Sequence, residues 1–317
     1  MLLRAFALIL ALAGASAPAS TDPLPSWRDG QAKQRLLSFV VAVTQEGGER
    51  FVAPEDRIAV FDNDGTLWVE KPTYTQVFFV LDRLDRLAPQ HPEWRTTQPY
   101  QAALERDLGA LGVPDLLKLV VATHAGMTQA EFQAEAARFF ATARHPRWKR
   151  PYQDLVYQPQ LELLEHLRGN GFQVFIVTGG GRDFVRSVSE PVYGVPRHMV
   201  VGSSLQTEFE SGARLRRLGE IVEPVNDKAG KPVNIARQIG RRPILAVGNS
   251  DGDLEMLQYS AGHGARSLQV LIHHDDPERE YAYDHGAEKA LAAVAEHGWV
   301  RVDMNRDFRR VFPFDAP

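Results

Sequence analysis

Residues 57–68 read Arg57-Ile-Ala-Val-Phe-Asp62-Asn-Asp64-Gly-Thr-Leu-Trp68, a short apolar run that stops at two carboxylates. A β-branched run bounded by charge predicts a strand buried on both faces, the kind found in parallel sheets. Similar runs recur downstream at Phe172–Thr178, His198–Gly202, Pro243–Gly248, Ser267–His273 and Trp299–Met304. Between them lie stretches with helical periodicity: Leu161–Leu167, Phe184–Ser189, Val233–Ile239 and Glu288–Glu296. Strands alternating with helices predict an α/β fold built on a doubly wound parallel sheet. In such sheets ligands bind beyond the carboxyl ends of the strands, so the residues after each run carry the chemistry.

Residues 73–150 interrupt this alternation. Val77, Phe78, Leu81, Leu84 and Leu87 fall at helical spacing, and Pro114 suits the first turn of a helix through Leu116–Val121. Thr128 and Glu131 form a capping box ahead of Phe132, Ala136, Phe139 and Phe140. An all-helical insert over 73–150 is expected, leaving 20–72 and 151–317 as the core. Leu36, Leu37, Val40, Val41 and Val43 predict one more helix near the start, and residues 205–218, alternating around Ser211-Gly212, predict a hairpin.

The chain has 317 residues with 36 basic and 40 acidic side chains, a balance that gives no nucleic-acid signature. It contains no cysteine, which excludes disulfides, thiolate metal sites and a cysteine nucleophile. Arg4, the apolar run Ala5–Ala13 and the small residues around Ala17-Pro18-Ala19 have the three-part layout of a secretory signal peptide, expected over 1–19. No other apolar run is long enough to span a bilayer. A soluble protein exported to the periplasm or secreted is therefore expected.

Each strand end supplies one part of a phosphoryl-transfer site. Asp62 and Asp64 are two carboxylates at the end of a buried strand, costly unless a divalent cation joins them. Thr178-Gly179-Gly180-Gly181-Arg182 offers a hydroxyl and backbone N–H groups at a helix start, an anion site. Asn226-Asp227-Lys228 offers a fixed cation, and Gly248-Asn249-Ser250-Asp251-Gly252-Asp253 an oxygen-rich loop. Such a set suits chemistry that works by positioning and charge neutralisation.

At these residues the sequence resembles the phosphatase branch of the haloacid dehalogenase (HAD) superfamily. FDNDGTLW at 61–68, Thr178, Lys228 and GNSDGD at 248–253 stand in the order of that family's four motifs. The resemblance spans residues 58–257 and implies a HAD-like core whose helical insert is a C1-type cap. It implies Asp62 as nucleophile, forming an aspartyl-phosphate, and Asp64 as acid and then base. It implies Thr178, Gly179, Gly180 and Arg182 around the phosphate, with Lys228 as the neutralising cation. Mg²⁺ is implied as cofactor, held by Asp62, Asp64 and the fourth motif. There the family usually has Asp where this chain has Asn249, so Asp251 or Asp253 is expected to restore the charge. Dehalogenase members lack the second acid, so Asp64 favours phosphate over halide. The expected activity is hydrolysis of a small phosphomonoester such as phosphoserine, phosphocholine or a sugar phosphate. The alternatives are transfer to an alcohol acceptor and a non-catalytic exported binding protein, the latter favoured only by Asn249. His273 and His274 also follow a strand, and no role is assigned to them.

Overall fold

The computed structural model of the chain describes residues 22–316; the expected signal segment lies outside them. Among the described residues nine strands form: β1 (Ile58–Phe61), β2 (Gln173–Gly181), β3 (Val200–Ser203), β4 (Leu205–Glu210), β5 (Arg214–Ile221), β6 (Leu245–Gly248), β7 (Leu268–Asp275), β8 (Ala282–Tyr283) and β9 (Val300–Asp303). The main sheet runs β3-β2-β1-β6-β7, with β8 and β9 both pairing β7. Every pair is parallel except β7–β8, which corrects the all-parallel expectation. The antiparallel step has a local cause: β7 turns back within a few residues, too short a link for a parallel crossover.

β1 shows why its apolar run was decisive. All four residues are buried, and they alternate between two cores. Ala59 and Phe61 join a layer with Leu36, Phe39, Leu163 and Leu167, whereas Ile58 and Val60 join Ile235, Met256, Leu257 and Val294 on the other face. The period of two thus places helices on both faces of the strand.

Among the described residues twelve α-helices accompany the strands: α1 (Gln31–Thr44), α2 (Thr75–Leu87), α3 (Tyr100–Glu105), α4 (Val113–His124), α5 (Gln129–Thr142), α6 (Gln158–Gly169), α7 (Arg182–Arg186), α8 (Ser189–Tyr193), α9 (Gly230–Gln238), α10 (Leu254–Ala261), α11 (Glu288–His297) and α12 (Met304–Asp307). Helices α2–α5 lie between β1 and β2, and Val80, Leu81, Leu84, Trp94 and Leu119 close a small core of their own there. The Thr128 hydroxyl accepts the Glu131 N–H at 3.3 Å while Glu131 accepts the Thr128 N–H at 2.7 Å, the reciprocal cap expected for α5. The β4–β5 hairpin reaches this helical insert. Gly126 donates to the Arg217 carbonyl and Arg217 to the Met127 carbonyl, both at 2.9 Å. Insert and hairpin together roof the carboxyl ends of β1, β2 and β6. Among the described residues no helix is long and apolar enough to cross a membrane.

Candidate active site

Asp62 follows β1 directly and is buried, its backbone N–H donating to the Val247 carbonyl of β6 at 2.9 Å. Its Oδ1 accepts a hydrogen bond from the ammonium of Lys231 at 2.6 Å. The same ammonium donates to Asp253 Oδ1 at 2.6 Å and to the Val177 carbonyl at 2.9 Å. The lysine of the site is therefore Lys231, not the expected Lys228. Lys228 is exposed, in the left-handed region at φ 50°, and joins the site only through its N–H, which donates to the Gly252 carbonyl at 3.1 Å. The loop turns back after it, and Lys231 then falls in the first turn of α9, facing the strand ends. Burial opposes charge on Lys231, but Asp253 and Asp62 outweigh it and hold the ammonium above its ordinary range.

Burial pushes the Asp62 carboxyl well up, and the nearby Asp253 adds to this, against the pull of Lys231. Asp64 is raised to about 6, chiefly by burial, with the hydrogen bond from Trp68 pulling the other way. That bond runs from Trp68 Nε1 to Asp64 Oδ1 at 2.8 Å. Trp68 is itself fully buried against Phe140, Phe184 and Tyr193, so the packed indole fixes the carboxyl's orientation.

Thr178 is buried in the last half of β2, and its Oγ1 accepts the Gly180 N–H at 3.0 Å, leaving the hydroxyl proton available. The Gly181 N–H donates to Gln76 Oε1 of α2 at 2.6 Å. Two of the triplet amides are thus bonded within the protein, to the side chains of Thr178 and Gln76. Gly179 and Gly180 line the cavity above Asp62 and Asp64. A Cβ on Gly180 would lie 3.2 Å from Thr178 Oγ1 and 3.6 Å from Asp64 Oδ2, in the space a phosphoryl group needs. Arg182 does not reach the cavity; its guanidinium lies 3.7 Å from Asp183.

The loop after β6 departs furthest from expectation. Asp251 Oδ1 accepts the Ala290 N–H at 2.9 Å and so caps α11 instead of facing the site. Asp253 Oδ2 accepts the N–H groups of Asn249 and Ser250, both at 3.0 Å, and its Oδ1 takes Lys231. Neither aspartate restores the charge missing at Asn249. Glu70 stands there instead. Asn249 Nδ2 donates to Glu70 Oε1 at 3.0 Å, and Tyr283 Oη donates to the same oxygen at 2.6 Å. Glu70 is buried, and burial raises its carboxyl. Gly65, at φ +77°, makes this approach possible, since a Cβ there would fall 2.1 Å from Asn249 Nδ2. His274 Nε2 reaches the Gly65 carbonyl at 2.8 Å while Nδ1 meets Glu280 at 3.0 Å, so His274 pins the loop after β1. His273 faces away, toward Asp303 and Asp284.

The donor set suits a hard divalent cation. Asp62, Asp64, Glu70 and Asp253 bring four carboxyls, with the Lys231 ammonium bonded to Asp62 and Asp253 and Lys71 near Glu70, and every donor is oxygen. Asp62, the Asp64 carbonyl and the Asn249 amide oxygen are of the type Mg²⁺ accepts, with one or two carboxylates and water completing the shell.

Residues 59–258, well over half of the chain, match the haloacid dehalogenase-like hydrolase family, and the chain belongs to it. The solved structures the chain is similar to are of low identity. A conserved protein of unknown function from Anaerococcus prevotii DSM 20548 is 14% identical with a TM-score of 0.50, covering 85% of this chain and 90% of that one. A protein of unknown function from Bordetella pertussis Tohama I is 17% identical with a TM-score of 0.49, covering 78% and 98%. A phosphoserine phosphohydrolase-like protein from Francisella tularensis subsp. tularensis SCHU S4 is 14% identical with a TM-score of 0.42, covering 80% and 95%. No curated protein gives a significant match.

Proposed function

We propose that this hydrolase cleaves phosphomonoesters through a phosphorylated Asp62. The observation that carries the reading is the pairing of Asp62 with Lys231 beside Asp64, a second carboxyl raised to about 6, in one cavity. Asp62 attacks phosphorus, and the bond to the ester oxygen breaks as Asp64 gives that oxygen its proton. The Thr178 hydroxyl donates to a phosphoryl oxygen, and Lys231 balances the charge gathering between nucleophile and phosphate. Asp64, now ionised, takes a proton from water as the water oxygen attacks phosphorus, releasing inorganic phosphate and restoring Asp62. Trp68 holds the acid in place through both steps. Asp62, the Asp64 carbonyl and Asn249 would hold a Mg²⁺ ion, which when bound would neutralise charge on the transferred group. The helical insert acts as a cap that excludes water and selects the leaving group.

Purified protein should release phosphate from p-nitrophenyl phosphate with added Mg²⁺. Activity should vanish with EDTA and return with Mg²⁺, and Asp62→Asn should lose it while melting as a folded protein. Undiminished turnover in Asp62→Asn would refute the mechanism. The layout of residues 1–19 supports export, and N-terminal sequencing of the mature protein tests it.

A further inference from the structure

This inference rests on the phosphomonoesterase reading and specifies the alcohol that is released. The cavity that begins at Asp62, Asp64 and Lys231 has a volume of ≈ 290 Å³ and extends under the insert and hairpin. Its walls there are Val77 and Val80 of α2, Leu116 and Val120 of α4, Phe132 of α5 and Ile221 of β5. Val113, at the start of α4, also lines it and is 68% exposed, so the apolar surface continues to the rim.

A charged or hydroxyl-rich leaving group would need partners in this space. Among the described residues, Lys231 and Arg217 are the only lysine or arginine lining it. Lys231 is held at the phosphoryl end by Asp62 and Asp253. Arg217 donates to Asp183 at 2.6 Å and to the Thr128 carbonyl at 3.1 Å, and its guanidinium lies 4.2 Å from the Phe132 ring centroid. A carboxylate or second phosphate would thus find no free cation. A quaternary ammonium under the insert would face mainly aliphatic side chains, with Asp183 already paired and Asp227 set back beside Gly179 and Gly252 at the phosphoryl end. Gln76 and Ser203, which also line the cavity, are bonded to Gly181 and Gly179 at the phosphoryl end, so sugar hydroxyls under the insert would lose water mostly against valine and leucine, at a cost for each one left unbonded. The geometry points to a phosphomonoester of a hydrophobic alcohol, an alkyl or alkenyl phosphate, as the substrate class.

The n-alkyl phosphates test this cleanly, because their leaving groups have nearly the same basicity and differ in buried length. Burying one methylene, ~0.8 kcal/mol, corresponds to roughly fourfold in kcat/KM. With Mg²⁺ and the full chain, kcat/KM should rise about two- to fourfold per methylene from ethyl to hexyl phosphate. Hexyl phosphate should exceed phosphoserine, phosphocholine and glucose 6-phosphate by on the order of tenfold. Val120→Asp, checked for folding by circular dichroism, should flatten the series. A flat wild-type series, or preference for any of the three polar esters, overturns the assignment while leaving the hydrolase reading intact. Calorimetry with methyl- and hexylphosphonate separates the two failures, since it needs no turnover. If no ester is cleaved yet hexylphosphonate binds at least tenfold tighter, the hydrolase reading fails and the apolar ligand class holds. Equal binding of the two phosphonates counts against the ligand class.

Discussion

Two acidic clusters stand at the carboxyl ends of the same sheet, and they are balanced in opposite ways. His273, Asp275 and Asp303 place ligand atoms within 4.8 Å of one another, and by residue type they look the better metal site. Their charges are already met. Asp303 receives Arg301 at 2.9 Å and Arg306 at 2.6 Å, and Asp275 accepts the Asn305 N–H at 2.8 Å. Burial opposes charge on His273, but Asp303 and Asp284 outweigh it and raise the imidazole, and both ring nitrogens are already engaged, Nδ1 with Asp303 at 2.7 Å and Nε2 with Asp284 at 2.9 Å. This cluster ties β7 to β9 and α12. At Asp62 the Lys231 ammonium bonds two of four neighbouring carboxyls, those of Asp62 and Asp253, and Asp62, Asp64 and Glu70 border a cavity. Unbalanced charge next to open space, more than ligand type, distinguishes a reactive cluster from a structural clamp.

Neutralising one charged member of each cluster should separate them most sharply. Lys231→Met leaves two buried carboxylates unpaired, an expected cost of about 3–5 kcal/mol in urea unfolding, with turnover of p-nitrophenyl phosphate down on the order of 10³-fold. Lys228→Met should stay within about 0.5 kcal/mol of wild type and within roughly twofold in rate. The reverse pattern would return the role to Lys228. In the second cluster, Asp303→Asn should lower stability by about 1–3 kcal/mol, since it weakens the pairing of two arginines and a histidine. Its kcat/KM and its Mg²⁺ dependence should not move, and a changed metal requirement would mean that the clamp has a chemical role.

The same contrast explains what the sequence could disclose. β1 and the Asp62–Asp64 pair are contiguous, and an apolar run ending in acid has few other readings. Ser250-x-x-Asp253 is a capping box, so the inward turn of Asp253 was local information too. The choice between Lys228 and Lys231 was not. Three residues separate them, and what decides is the fold-back at Gly230, where a Cβ would lie 1.9 Å from the Val225 carbonyl oxygen. Glycine there lets the turn close and α9 begin in time to aim Lys231 at β1. The Glu70–Asn249–Tyr283 contacts join three distant segments through the antiparallel β8, a pairing that no periodicity announces. Asp251 was misread because an acid near a site and an acid capping a remote helix look alike in one dimension.

A third buried group lies in the insert, and its balance is opposite to that of His273. His124 lines the cavity, yet burial, with Arg83 and Arg217 nearby, lowers its pKa to about 3. The Thr123 hydroxyl donates to the Leu119 carbonyl at 2.7 Å, so the ring proton belongs on Nδ1, which donates to that hydroxyl at 2.7 Å. Nε2 is buried without a partner, between Phe79 and Phe132. The folded protein therefore keeps His124 neutral at pH values where the unfolded chain, with a pKa near ~6.5, takes up a proton. Because the unfolded state binds more protons there, stability is present in full above about 6.5 and is lost as pH falls toward 3. Between pH 7 and pH 5 the loss through this one group should be about 2 kcal/mol. His124→Leu should lose about that much less than wild type over the same interval, measured by urea unfolding at both pH values. Equal losses in the two proteins would place the acid sensitivity elsewhere, among the carboxyls of the core.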